Sequence, residues 1–75
     1  MMVINEMKEM IDKLDFYLEH KVKIHVDLKD GSFLNGTIIK KSKEGVYYLE
    51  ERKLGNVFLF INDIAELSEF REVRK

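Results

Sequence analysis

The sequence predicts a mainly β fold: one N-terminal α-helix, then a strongly bent five-stranded antiparallel barrel. Three observations carry that expectation. Ile4, Met7, Ile11, Leu14 and Leu18 recur at alternating steps of three and four, which is one face of a helix. At Val22 the period changes to two, the mark of a strand with one buried face. Turns containing Gly31, Gly45 and Gly55 then divide the remainder into short apolar runs.

The helix is expected over residues 4–18. Asn5 suits its cap, and Glu6 and Glu9 fall in the first turn, where the helix dipole favours acids. Met10, Phe16 and Tyr17 lie beside the seam and widen its apolar face. From Val22 to Leu28 every even position is apolar and every odd one polar. Asp30-Gly31 follows as a hairpin turn. Asn35-Gly36 is a second turn signal, but two turns so close leave too short a strand between them. Gly36 is therefore read as a bend inside one long strand, where the missing Cβ lets a sheet curl.

Lys43-Glu44-Gly45 makes the next turn. Val46 to Arg52 is the third strand, with Tyr47 and Tyr48 on opposite faces. Val57-Phe58-Leu59-Phe60-Ile61 is apolar on both faces. Asn62-Asp63 breaks the pattern, and Ile64 to Leu67 forms the last strand. One domain over residues 1–75 is expected, with the barrel at 21–67 and a polar tail at 68–75.

The chain has 75 residues, and a domain this short is marginal alone, burying about 60% of its unfolded surface. It has no Cys to form a disulfide, and His20 and His25 are too few for a metal cage. Oligomerisation is the remaining source of stability, and a homo-oligomer is expected. The two-faced strand agrees. Val57, Phe58, Leu59, Phe60 and Ile61 are the candidates for a subunit interface: if Val57, Leu59 and Ile61 face the core, Phe58 and Phe60 need another cover, or the reverse, and a neighbouring subunit supplies it. The alternative is that the helix covers them.

There are 13 Lys plus Arg against 14 Asp plus Glu, a net charge of −1. That balance argues against a nucleic-acid binder working by bulk positive charge. No apolar run approaches the ~20 residues of a membrane span, and acids interrupt Met1–Asp12 as no signal peptide allows. A cytoplasmic protein away from membranes is expected. No nucleophile, paired-acid or phosphate-cradling pattern is visible. The chain is read as a non-enzyme with no cofactor, metal or small-molecule substrate.

Two stretches resemble the Sm and Sm-like (Lsm) proteins, including their bacterial Hfq branch. Gly31-Ser32-Phe33-Leu34-Asn35-Gly36-Thr37-Ile38 is similar to the first motif of that family. Gly55-Asn56-Val57-Phe58-Leu59-Phe60-Ile61-Asn62-Asp63-Ile64-Ala65-Glu66-Leu67 is similar to the second. The resemblance covers about residues 20 to 67 and implies an Sm-like (SH3-like) barrel, a ring of subunits and single-stranded RNA as ligand. It departs from the family where RNA is held. The positions of the family's Asp, stacking aromatic or His, and Asn carry Ser42, Glu44 and Val46. The Arg-Gly positions carry Phe60 and Ile61, and the Lys-His pair of the Hfq branch falls on Ile61 and Asn62.

Residues 21 to 43 hold six lysines against two aspartates. Lys40, Lys41 and Lys43 are the candidates for phosphate contact, with Tyr47 or Tyr48 to stack a base. Asn62, in the family's second RNA-contacting loop, is the candidate for a base edge. The plainer readings are a lysine-protected strand edge and ordinary Asn-Asp turn chemistry. The expected function is an RNA-binding ring, with an assembly module that oligomerises and has lost the nucleotide pocket as the alternative.

Overall fold

A computed structural model describes residues 4–70. Within them lie α1 (Ile4–His20), β1 (Lys23–Leu28), β2 (Phe33–Lys43), β3 (Val46–Glu51), β4 (Gly55–Phe60), a single 3-10 turn (Ile61–Asp63) and β5 (Ile64–Glu69). The expected helix runs two residues further than its seam. The cap at Asn5, the seam position Ile4 and the tail beyond Phe70 lie outside the described side chains. Ser68 and Glu69, expected in the tail, belong to β5, whose backbone pairs them with His25 and Ile24.

The helix ends at Lys21, which takes a left-handed φ of 54°. The amide of Val22 reaches back to the Tyr17 carbonyl at 3.1 Å, closing the last turn as a Schellman cap. Gly31 and Gly45, at φ 92° and 81°, make the first two of the three hairpin turns, which their lack of a Cβ permits.

All neighbouring strands are antiparallel, in the order β4-β3-β2-β1-β5. The sheet is open: β4 and β5 are its edges and are not hydrogen-bonded to each other. The expected barrel closure is therefore not seen. Yet only three residues join these edges. Four flat strand spacings span about 19 Å, whereas the four steps from Phe60 to Ile64 reach at most about 14 Å. The sheet must curl to bring its edges that close. The turn is pinned at both ends, by Ile61 N–H to the Gly45 carbonyl and Lys29 N–H to the Asp63 carbonyl, each 2.9 Å.

The curl has local causes. A Cβ on Gly36 would overlap the carbonyl of Glu50 in β3, so β2 and β3 approach more closely there than any other residue allows. Register shifts between Ile38 and Lys40, and between Lys41 and Lys43, add bulges to β2, which tighten the twist.

One face of the sheet carries Ile24, Val26, Ile38, Tyr47, Leu49, Leu59, Ile64 and Leu67, and α1 covers it with Leu14 and Tyr17. Met10 packs at the margin of this core, but Phe16, expected to widen the apolar face, points to solvent.

Candidate functional site

The outer face of the sheet opposes the helix. Alternation along β4 sends Leu59 inward with Ile61 just beyond it, leaves Val57 half-buried, and turns Phe58 and Phe60 outward, 50% and 45% exposed. The expectation for Leu59 and Ile61 as interface residues is therefore corrected: both are buried inside the molecule, out of reach of a neighbour. The helix leaves both rings about half exposed and reaches only the margin of Phe60, which shares a groove with Met7 and Ile11. Of the alternatives open in the sequence, full cover of the aromatic face by the helix is not seen.

Register then decides which lysine meets which tyrosine. Lys40 pairs with Tyr48 and Lys41 with Tyr47 across β2 and β3. Lys40 and Tyr48 lie on the outer face, with Nζ 4.8 Å from the ring centroid, a cation–π contact. Tyr48 packs on Phe58 with centroids 4.4 Å apart, and Phe58 lies 6.1 Å from Phe60. The result is a continuous aromatic strip with one ammonium at its end.

Lys41 turns the other way. Its Nζ lies 2.7 Å from Glu44 and 3.3 Å from Asp15 of α1. The Glu44 carboxylate, then Asp15, hold its pKa above the ordinary lysine value. Its charge is spent inside the molecule. Tyr47 is fully buried and donates to Asp15 Oδ1 at 2.6 Å. A ring with no exposed surface cannot stack a base, so the expectation for Tyr47 is corrected: Tyr48 is the accessible tyrosine.

Lys43 and Asn62 are exposed. The β2–β3 turn and the 3-10 turn do come together. Glu44, Val46, Phe60 and Asn62 line one groove of about 200 Å3, closed from the helix side by Met7 and Ile11. Its one charged lining residue is a carboxylate, which repels phosphate.

A second cluster joins residues that the sequence names separately and does not connect. On β1, His25 Nδ1 lies 2.5 Å from Asn35 Oδ1, and its Nε2 lies 3.0 Å from Asp27 Oδ1. Two oxygen acceptors favour the imidazolium; the Asn35 oxygen, then Asp27, raise the pKa of His25. The ring also faces Phe33 at 5.4 Å. Beyond Phe33 lies a groove of about 310 Å3 formed with Asn35, Glu51, Arg52, Lys53 and Leu54. Glu51 belongs to its wall only: its carboxylate accepts the backbone amides of Asn35, Lys53 and Leu54 at 2.9, 2.6 and 2.9 Å. The signal in the sequence is the outward parity of His25, Phe33 and Asn35, which strand alternation alone marks.

The fold and this surface define a helix-covered, curled antiparallel sheet with two open edges and an aromatic outer strip. No family model matches the chain, and no curated protein matches it. No helix among the described residues is long and apolar enough to cross a membrane.

Proposed function

We propose that this chain is an Sm-like assembly module whose copies join edge to edge through β4 and β5 into an oligomer, a ring by analogy with the family it resembles. The observation that carries the reading is the β4 edge. Its six residues, Gly55–Phe60, contain no charge and no proline, the devices that keep free strand edges apart, and its outer rings are exposed. The facing edge differs: β5 carries Glu66 and Glu69, so the two edges are chemically distinct and favour unlike edges meeting over like ones. A sheet already curled enough to join its edges by three residues fits an Sm-like barrel.

The test is the mass in solution of the wild type against Phe58→Glu combined with Phe60→Glu. The pair of glutamates is expected to reduce the oligomer to smaller species while the circular dichroism spectrum is kept. An unchanged mass, or a folded wild-type monomer at micromolar concentration, rejects the reading.

One observation favours the RNA-binding alternative: the Lys40–Tyr48–Phe58 strip combines a cation with stackable rings, which single-stranded RNA uses. Glu44 at the groove, the spent charge of Lys41 and the burial of Tyr47 count against it, so protein assembly is preferred.

A further inference from the structure

Six large apolar side chains are exposed among the described residues. Phe58 and Phe60 belong to the strip above, and Ile39 to the β2 bulge. The other three form two surfaces on opposite sides of the molecule. Phe33 and Leu54, 59% and 68% exposed, flank the 310 Å3 groove on the outer side of the sheet. Phe16, 48% exposed, stands on the solvent side of α1.

The two surfaces differ in charge. Arg52 and Lys53 line the groove and form no ion pair among the described residues. Its one carboxylate, Glu51, is occupied by three backbone amides. Around Phe16 the neighbours at three and four positions are Asp12, Lys13, Glu19 and His20, with Glu9 one turn further along. Lys13 is directed to the Leu67 carbonyl at 3.3 Å, and His20 packs on the Phe16 ring at 4.3 Å. Asp12 and Glu19 are exposed and form no ion pair among the described residues. An aromatic knob flanked by acids thus faces one way, and an apolar groove flanked by cations faces the other. The groove volume is in the range that accepts a small ring system.

We infer that a second copy of this chain occupies the groove: Phe16 of one molecule enters between Phe33 and Leu54 of the next, with Asp12 and Glu19 meeting Arg52 and Lys53. The sheet separates the two surfaces, so one molecule cannot satisfy itself. The contact is heterologous and continues from copy to copy, into a ring or a filament according to the rotation between copies. It is independent of edge-to-edge joining, since neither surface includes β4 or β5.

The experiment uses two charge-reversed variants of the full chain. One is Arg52→Glu with Lys53→Glu, which makes the groove acidic. The other is Asp12→Lys with Glu19→Lys, which makes the helix face basic. Sedimentation velocity is followed over a concentration series. Wild type is expected to grow in mass with concentration at about 0.1 M salt and to lose the larger species at about 1 M, where the screening length falls to about 3 Å. Each variant alone is expected to need at least about tenfold more protein to grow. An equal mixture is expected to recover growth, because each groove then meets a helix of opposite charge. Phe16→Glu is expected to abolish growth without changing the smaller particle. A concentration-independent wild type, or a mixture that does not recover, overturns the inference. So does an Arg52/Lys53 variant that grows normally, which assigns the contact to helix against helix. Loss of a fluorescent single-stranded RNA from that variant with no change in mass also overturns it, assigning the groove to nucleic acid.

Discussion

The hydroxyl of Tyr47 donates a 2.6 Å hydrogen bond to Asp15 Oδ1, tying the middle of α1 to β3 beside the Lys41–Asp15 ion pair. Burial, reinforced by the Asp15 carboxylate, raises the Tyr47 pKa, so the phenol stays a donor at any physiological pH. Tyr47→Phe keeps the ring and deletes that bond. Asp15 is partly exposed and keeps Lys41 as a partner, so the expected loss is about 1 kcal/mol. For a domain of this size that lowers the melting temperature by about 4–8 °C. A variant melting with the wild type shows that the bond contributes nothing.

Gly36 and Gly31 are glycines for different reasons, and alanine separates them. At Gly36 the added Cβ would overlap the Glu50 carbonyl. Both atoms belong to the centre of the sheet, and neither yields cheaply. Gly36→Ala is expected to cost about 1–3 kcal/mol or more. At Gly31 there is open space but φ is 92°, so alanine meets only backbone strain, about 1–2 kcal/mol. Urea unfolding of both variants measures the difference. Gly36→Ala as stable as the wild type refutes close strand approach as the source of the curl.

Alternation made β1 legible, because Ile24 and Val26 face the core while Lys23 and His25 face water. The long β2 was legible through Gly36, since the rival turn at Asn35 left no room for a strand. The two-faced character of β4 was legible for the same reason as β1. What alternation does not tell is which of two adjacent residues points inward. Tyr47 and Tyr48 differ only in parity, and the bulge at Ile39 resets the parity of Lys40 and Lys41. The lysine–tyrosine pairing therefore emerges only in three dimensions. Glu51 is similar: its amide partners include Asn35, sixteen positions away, and nothing local marks the pairing. Ser68 and Glu69 lack strand-forming character and extend β5 only because β1 offers them a partner.

Two groups give pH dependence of opposite sign. The Glu51 carboxylate is stabilised by the amides of Asn35, Leu54 and Lys53, which lower its pKa below the ordinary 4.5. Its stabilisation is present above about 4.5 and is lost as pH falls through the lowered value. Glu51→Gln leaves one acceptor oxygen for three amides and is expected to cost about 1–3 kcal/mol at neutral pH. The variant's stability should also vary less with pH on the acid side, as denaturant midpoints measured across pH would record.

His25 runs the other way. Its folded pKa lies above the ordinary 6.5, through Asn35 first and Asp27 next. Glu66 of β5 adds its negative charge in the same direction, and burial opposes them. Its contribution is complete below 6.5 and fades as pH rises through the folded value. An NMR titration of the imidazole is expected to show a midpoint above 6.5, lowered by Asn35→Leu. A wild-type midpoint at or below 6.5 contradicts the two-acceptor geometry.

Lysines adjacent in sequence are expected to differ in any binding of single-stranded RNA. Lys40 and Lys43 are free to meet phosphate, so replacing both with alanine should reduce the salt slope of binding by about 0.7 for each phosphate no longer neutralised. Tyr48→Ala should cost about 1–3 kcal/mol of affinity by removing a stacking ring. Lys41→Ala should leave the slope unchanged, because Glu44 and Asp15 already neutralise that ammonium. It should instead reduce stability by loosening α1 from β2. Anisotropy of short U-rich and A-rich strands at several salt concentrations reads all three. If the wild type binds neither strand at low salt, the outer strip serves protein contact alone. If Lys41→Ala lowers the slope as much as Lys40→Ala, the ammonium leaves its carboxylates for phosphate, and the assignment of separate roles to these two lysines fails.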